Sequence, residues 1–177
     1  GGLASGDTVA CTVITSDGAL SSPMGSATIT VVNNPPTVDS VSLNPDPLRT
    51  DDIVTATVTA SDADGDAISL EYQWSVNGAV VQTVSTSSLN DSLDSSNYVR
   101  GNVVSVAVTP SDANAIGAAA IAGLTAGNTA PTVAAVSLTP ANPVEGLDDV
   151  VCSASSSTDA DGDTVIYNFT WTVDGAG

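Results

Sequence analysis

Two clusters of alternating aspartates are the residues best suited to chemistry in this 177-residue chain. Asp62, Asp64 and Asp66 surround Gly65, and the same five-residue pattern recurs at 159–163. Two carboxylates about 5 Å apart repel by about 3 kcal/mol at an effective dielectric of about 20, so three in one loop need a cation or full solvation. Hard oxygen ligands select Ca²⁺, which accepts about six to eight of them in irregular geometry. The pattern predicts calcium sites, with a solvated acidic turn as the alternative.

The flanking sequence separates these clusters from the helical calcium loop known as the EF-hand. If Asp62 or Asp159 were the first position of such a loop, the twelfth position would be Gln73 or Thr170, whereas an EF-hand requires a bidentate Glu there. Segments with the two-residue alternation of strands flank the first cluster. We therefore expect calcium in a turn between strands, in a structural rather than a catalytic role.

The composition excludes several functional classes. Two basic residues against twenty acidic ones give a formal charge of −18, which rules out the basic face that nucleic-acid binding needs. With no His and no Lys, the chain lacks the usual general bases, a Schiff-base lysine and imidazole metal ligands. Its 42% hydrophobic content and mean hydropathy of +0.22 nevertheless indicate a folded core rather than a disordered acidic chain.

The chain repeats itself with an offset of 95 residues, as from 34 to 129, which becomes 97 after a two-residue insertion beyond Pro140. The repeat predicts the end of one unit at 1–34, a complete unit at 35–129 and the start of another at 130–177. The chain is thus expected to begin and end in mid-domain, as a cut or mature piece. The matching segments are 34–38 with 129–133, 41–45 with 136–140, 62–66 with 159–163, 72–74 with 169–171, and 6–17 with 101–112.

Within one repeat, apolar and polar residues alternate and Val and Thr are frequent, which predicts strands. Asn77-Gly78 is the signal of a two-residue hairpin turn. The Ala- and Gly-rich stretch 115–124 has a plainly strand-like counterpart at 26–32, so a strand is expected there too. Seven short strands in about 95 residues predict an all-β protein of tandem antiparallel β-sandwiches. The expected strands are Val38–Leu43, Ile53–Ala60, Ser69–Val76, Val80–Val84, Thr86–Leu93, Val103–Thr109 and Ala118–Leu124.

Strands that run up and down would bring several acidic groups to one end of the complete repeat, where calcium would brace the hinge. The predicted ligands there are Asp62, Asp64, Asp66, Asp112 and Asn34, with Asp159, Asp161 and Asp163 at the following junction. The only basic residues, Arg49 and Arg100, lie in loops that face that second junction. Salt bridges could therefore neutralise its aspartates instead of, or beside, a cation, although exposed pairs contribute only about 0–1 kcal/mol.

An enzyme is not expected. Only pairs of Asp and Glu could act, as in glycosidases, and the Asp clusters recur identically in successive repeats. Catalytic sites rarely recur as an identical set of residues in every structural repeat, whereas structural sites at the junctions between repeats commonly do.

The chain resembles the tandem Ig-like and PKD/cadherin-like repeats of very large bacterial and archaeal surface proteins. The resemblance rests on the Asn-x-x-Pro linkers, the paired aspartates at 51–52 and 148–149, the Asp-Ala-Asp-Gly-Asp loops, the Trp-bearing strand and the motif at 6–13. It departs from antibody domains because Val104 stands where a tyrosine corner would be. It implies Ig-like sandwiches on the cell surface.

The same resemblance gives Cys11 and Cys152 a role. Mapped into one repeat, they take the positions of Val106 and Thr55, on the two strands that a disulfide bridges in immunoglobulin-type sandwiches, beside the tryptophan strand. It implies a disulfide within each cysteine's own repeat, whose partner lies outside this chain. Two unrelated buried thiols, or a bridge between Cys152 of one subunit and Cys11 of the next, are the alternatives.

Asn90 and Asn168 each begin an Asn-x-Ser/Thr pattern, the acceptor for N-glycosylation. Such short patterns arise often by chance, and β-propensity with a wettable face explains the Ser and Thr content equally well. The longest apolar run, 115–124, is about half of what a membrane-spanning helix needs, so no membrane insertion is expected.

Together these observations predict an extracellular structural protein, a calcium-stiffened rod of repeats forming a cell-surface stalk, fibre or filament. Its partners would be neighbouring repeats or copies of the same chain. The alternative is an adhesin that binds surface glycans, for which Tyr98 and Tyr167 are the aromatic candidates. An oxidising, extracellular location follows from a disulfide.

Overall fold

The computed structural model describes residues 2–174, which form eleven strands and one short 3₁₀ helix at Ser95–Asn97. No helix in this range is long and apolar enough to cross a membrane. The strands are β1 Thr8–Val13, β2 Gly25–Thr30, β3 Thr37–Asn44, β4 Val54–Ser61, β5 Ser69–Val76, β6 Ala79–Thr86, β7 Asn90–Leu93, β8 Val103–Ser111, β9 Ala120–Thr125, β10 Ala135–Thr139 and β11 Val151–Ser155.

Seven of these strands build the sandwich of the complete repeat. One sheet has the order β3-β4-β7 and the other β6-β5-β8-β9, with antiparallel pairing throughout. The inward side chains of β4, β5 and β8 alternate with outward ones and form the buried core. The predicted all-β, Ig-like sandwich is thereby confirmed. The core consists of Leu48, Val54, Ala56, Val58, Leu70, Tyr72, Trp74, Leu93, Tyr98, Val104, Val106, Val108 and Ala126.

The seven predicted strands are all present, with ends displaced by a few residues. The largest difference is in β7, expected from Thr86 but observed only at Asn90–Leu93. The 115–124 stretch forms strand β9 rather than a helix. The hairpin turn between β5 and β6 is as expected, since Asn77 and Gly78 both have positive φ, 50° and 82°.

A hairpin before the complete repeat copies part of its sheet. β1 pairs with β2 so that Cys11 lies opposite Ala27, the register in which Val106 lies opposite Ala122 in β8–β9. The sequence offset of 95 residues is therefore also a structural equivalence, and Cys11 takes the position of the fully buried Val106.

The hairpin after the complete repeat corrects the position expected for the second cysteine. Leu138 lies opposite Cys152 as Leu43 lies opposite Ala56, so Cys152 corresponds to the buried Ala56 and not to Thr55. A left-handed residue follows β11, Ser156 with φ 64°. The extra residue at this point brings the offset back to the 97 residues that relate the two acidic loops. Side chains alternate between the two faces of a strand, so the one-residue shift before it places the Cys152 thiol on the inner face.

Trp171 does not occupy the core position expected from its match with Trp74. Trp74 is completely buried on β5 between β6 and β8, whereas Trp171 lies outside any strand and is 54% exposed. The physical reason is that, among residues 2–174, nothing equivalent to β6 or β8 lies beside it.

Candidate inter-repeat site

The linker that enters the complete repeat is held by the middle aspartate of the first acidic loop. The backbone N–H of Asn34 donates to Asp64 Oδ2 at 2.6 Å, and the Asn34 side-chain amide donates to Asp64 Oδ1 at 3.0 Å. Both carboxylate oxygens of Asp64 therefore accept hydrogen bonds from one linker residue. We call residues 33–36, 62–66 and 112–117 the first junction.

The acidic loop is organised around Asp62. Its Oδ1 accepts the backbone N–H groups of Asp64 and Asp66, at 2.8 and 3.0 Å, and Gly65 permits the bend with φ 79°. Its other oxygen, Oδ2, is buried and has no hydrogen-bond partner among the residues that the structure describes. A buried carboxylate oxygen without a donor is costly, and either a water molecule or a cation would satisfy it.

A second loop of the complete repeat holds the same linker through Asp112. The Asn33 side-chain amide donates to Asp112 Oδ2 at 2.9 Å, and the backbone N–H groups of Asn114 and Ala115 donate to Oδ1, each at 2.6 Å. The bond from Asn33, with those backbone N–H groups, lowers the pKa of Asp112 because the donors favour the ionised carboxylate.

A glycine lets the linker lie directly on this loop. A Cβ at Gly117 would come 2.0 Å from the carbonyl oxygen of Pro36 and 2.8 Å from Pro110 Cγ. Both prolines are fully buried. Any side chain at position 117 would therefore push the linker away from the complete repeat.

The linker that leaves the complete repeat makes the equivalent contact with the next acidic loop. The backbone N–H of Thr129 donates to Asp161 Oδ2 at 2.6 Å, and Thr50 Oγ1 donates to Asp161 Oδ1. The bond from Thr50, followed by that from Thr129 and the charge of Arg100, lowers the pKa of Asp161. We call residues 128–131 and 159–163, with Thr50, Asp51 and Arg100, the second junction.

Arg100 joins the complete repeat to the next acidic loop. Its guanidinium forms a two-pronged salt bridge with Asp163, in which Nη2 lies 3.1 Å from Oδ1, and it also donates to Asn128 Oδ1 in the linker. This salt bridge raises the pKa of Arg100 further. The position equivalent to Arg100 at the first junction is Ser5, so the two junctions differ in charge.

The predicted calcium ligands thus lie at the junctions, where their carboxylates accept hydrogen bonds. Asp64 and Asp112 accept hydrogen bonds from the linker at the first junction. At the second junction Asp161 accepts one from the linker, whereas Asp163 pairs with Arg100. Asp159 organises its loop as Asp62 does. Within residues 2–174 no three acidic or cysteine side chains gather closely enough to hold a metal ion together. The calcium assignment stays a prediction.

Sequence reasoning placed Asn33 at the first junction without predicting its contact with Asp112, and it missed Thr50 and Gly117. Asn33 and Asn128 repeat at the offset of 95 residues, which was a usable signal. Thr50 and Gly117 are far in sequence from their partners, and nothing local marks them.

The remaining predicted positions have mixed outcomes. Cys11 is exposed, Cys152 is half-buried and both are free thiols, so a bridge to a residue elsewhere stays a prediction. Asn90 and Asn168 are exposed, and their glycosylation is likewise untested. Tyr98, a candidate for glycan binding, is buried and cannot present its ring to a sugar. It is 4% exposed, its hydroxyl donates to the carbonyl of Asp52, and burial raises its pKa to about 12. Tyr167 is 38% exposed.

No protein-family model and no curated protein matches this chain. Among solved structures, domains d3–d4 of the rat CD45 extracellular region align with a TM-score of 0.50 and 12% identity, over 71% of this chain and 66% of that one. The chicken CNTN1 FN1–FN3 domains align with a TM-score of 0.43 and 12% identity, over 88% and 65%. The chain spans slightly less than two thirds of each. The first similarity supports the Ig/fibronectin-type sandwich fold, while a bacterial or archaeal PKD/cadherin origin stays a prediction.

Proposed function

We propose that this chain is an extracellular structural protein, a rod of tandem Ig-like repeats that serves as a cell-surface stalk or fibre. The observation that carries the proposal is one contact made by both linkers. Asn34 N–H donates to Asp64 and Thr129 N–H donates to Asp161, each at 2.6 Å. A contact repeated at successive joints gives a constant step along an array, in which each repeat contacts only its neighbours.

The charge of the chain suits such a rod. A formal charge of −18 keeps neighbouring rods apart and in solution. The same charge would bend or separate acidic loops at the joints if the carboxylates were unpaired, and the linker N–H donors and Arg100 offset this repulsion. The proposal assigns no catalytic step to these residues.

The two cysteines provide native labelling positions for a direct test, since each lies on one side of the complete repeat. Dyes on Cys11 and Cys152, followed by single-molecule energy transfer at high dilution, report the distance across both joints. We expect one narrow distribution for the native chain and a broad one for Asp64→Ala/Asp161→Ala. The matched control is Asp46→Ala/Asp149→Ala, which removes the same charge from exposed positions. An equally broad distribution in the native chain would contradict the rod.

A calcium ion at the first junction is our second proposal, favoured by the unpartnered buried Oδ2 of Asp62. Asp62, Asp64, Asp66, Asp112 and Asn34 would supply hard oxygen ligands, and the ion would add charge neutralisation to the joint. At the second junction Arg100 of the complete repeat pairs with Asp163 beside Asp159 and Asp161, and this positive charge lowers the affinity of the loop for a cation.

Calcium titration followed by thermal unfolding tests this second proposal. We expect calcium to raise the melting temperature of the native chain and of Asp159→Asn, but not of Asp62→Asn. Within residues 2–174 the Asp62 side chain leaves a buried oxygen unpaired, and the Asp159 side chain does not. A melting curve that neither calcium nor a chelator changes would refute the calcium site, and it would leave the hydrogen-bonded joints untouched.

A further inference from the structure

Strand β6 forms an open edge of the larger sheet of the complete repeat. It is the first strand in the order β6-β5-β8-β9, and among residues 2–174 no strand pairs with its outer side. It runs for eight residues, Ala79–Thr86, and contains no acidic, basic or proline residue. A long uncharged edge presents a row of unpaired backbone groups with which another strand can pair.

The other three edges of this sandwich are each protected. β3 has prolines at 35, 36 and 45 beside it and a bulge at its charged residue, Asp39. β7 is only four residues long, and β9 lies against β3 of the other sheet. Charges, prolines, bulges, short length and coverage are the means by which proteins block edge pairing. β6 has one bulge, at Val81 close to the hairpin turn, and residues 82–86 are regular, so this edge is the one open to another strand.

The backbone groups that face outward from β6 follow from its hairpin with β5. A two-residue turn makes Val76 and Ala79 a hydrogen-bonded pair, and along an antiparallel strand such residues alternate with residues whose backbone points away from the partner. The residues opposite 74, 72 and 70 therefore also bond to β5. Thr83 and Ser85 lie between them, so their N–H and C=O groups point away from β5, and their side chains are exposed.

We propose that β6 pairs antiparallel with β6 of a second copy of this chain, so that two copies join side by side. When the pairing is centred on Val84, Thr83 of each copy lies opposite Ser85 of the other, and the outward backbone groups bond to each other. The two four-stranded sheets then form one continuous sheet about a two-fold axis. This contact is independent of the joints between repeats and connects one rod laterally to another.

Exposed apolar side chains near β6 favour an identical partner that runs in the opposite direction. Val80 and Val81 lie at the start of the strand and are 55% and 41% exposed, and Leu89 lies beyond its end and is 47% exposed. Antiparallel pairing brings the start of one strand to the end of the other. The valines of each copy therefore come toward Leu89 of the other copy, and the two-fold axis forms this contact twice.

Charge also favours this edge for contact between copies. Each chain carries a formal charge of −18, which makes two copies repel over most of their surfaces. Residues 72–90 contain no charged residue, and the acid just before them, Glu71, lies on β5 opposite Ser85. In the paired sheet the two Glu71 residues would be at least three strand spacings apart, about 14 Å, which exceeds the Debye length of about 8 Å at physiological salt. Two copies can therefore meet at β6 without bringing carboxylates together.

Sedimentation equilibrium of the 177-residue chain under reducing conditions tests the proposal. We expect monomers of 17.4 kDa at low concentration and dimers of twice that mass at high concentration. Thr83→Asp/Ser85→Asp places like charges directly opposite each other and should weaken dimerisation by about tenfold or more. The matched control, Thr57→Asp/Thr59→Asp, adds the same charge to exposed positions of β4, a central strand of the other sheet, and should dimerise like the native chain.

Amide hydrogen exchange shows whether the contact lies on this edge. The N–H groups of Thr83 and Ser85 should exchange slowly in concentrated native chain and rapidly at high dilution, whereas that of Val84, which bonds to β5, should exchange slowly in both. Neither variant changes a residue of the buried core, so both should keep the native melting transition, which separates a lost contact from misfolding.

Three results would overturn the proposal. The first is a native chain that stays monomeric at every concentration. The second is an edge variant that dimerises as strongly as the control, because the contact would then lie elsewhere. The third is exchange at Thr83 and Ser85 that does not depend on concentration.

Discussion

Arg100 and Asp163 form the only salt bridge within residues 2–174, and it connects one repeat to the next. Both side chains are about half exposed, at 45% and 47%. Such a pair contributes little to the stability of either repeat, about 0–1 kcal/mol. Its two-pronged geometry instead fixes the orientation of the guanidinium relative to loop 159–163. The pair therefore sets the angle between the complete repeat and that loop more than it adds to stability.

We expect Arg100→Gln to loosen the second junction without changing the melting temperature of the complete repeat. Gln cannot form the charged two-pronged bond to Asp163, while the core lies elsewhere. The distribution of distances between dyes on Cys11 and Cys152, measured by energy transfer, should become broader than that of the native chain. Added salt should also broaden the distribution of the native chain, because it screens the salt bridge. Arg49→Gln is the control, because Arg49 forms no ion pair among the described residues. Identical behaviour of the two variants would contradict the assignment.

Acid should release the joints. Hydrogen bonds from Thr50 and Thr129 lower the pKa of Asp161, and that from Asn33 lowers the pKa of Asp112, from the ordinary value of 3.8. A lowered pKa contributes stability that is present above pH 3.8 and is lost as the pH falls through the folded value. We therefore expect the distribution of distances between Cys11 and Cys152 to broaden only below pH 3.8.

Carboxyl NMR measures this titration directly, through the chemical shift of the Asp161 side chain. Thr50→Val removes the strongest donor and should bring the Asp161 pKa back toward its ordinary value, with Asp112 unchanged. A joint that loosens above pH 5 would show that other groups control it.

Gly117→Ala should disturb the first junction. The added Cβ would lie 2.0 Å from the Pro36 carbonyl oxygen, and backbone cannot move aside as a flexible side chain can. Overpacking of this kind costs about 1–3 kcal/mol, which calorimetry of the complete repeat would detect. Gly25→Ala is the control, because its new Cβ would have only an ordinary 3.8 Å contact. Equal melting temperatures for the two variants would refute the close approach.

Asp91→Ala should destabilise the complete repeat more than a surface aspartate does. Asp91 Oδ2 accepts the indole N–H of the buried Trp74 at 2.8 Å and the amide of Gln82 at 3.2 Å. Without it the indole N–H is left unpaired in the core, at a cost of about 1–3 kcal/mol in the free energy of unfolding. Urea unfolding followed by tryptophan fluorescence measures this, and Asp46→Ala is the surface control. A cost equal to the control's would mean that another acceptor replaces Asp91.

The sequence by itself determined the repeat and the strands. Alternation of Val and Thr with polar residues is a local property, and Asn77-Gly78 defines its hairpin without distant help. The acidic loops and linkers were also predicted to meet, because topology alone brings loop 62–66 and Asp112 to the end where Asn34 enters. These features need no knowledge of which side chains touch.

Only the tertiary structure decided what those side chains meet. Asp64 and Asp161 accept linker N–H groups, and Arg100 selects Asp163, because the linker and the far loops are folded against each other. Cys152 lies at the inner position of Ala56 because its strand register, shifted by one residue, reverses the faces of the strand, and an offset counted along the sequence does not detect that. Contacts between residues distant in sequence depend on packing in three dimensions, which one-dimensional patterns do not encode.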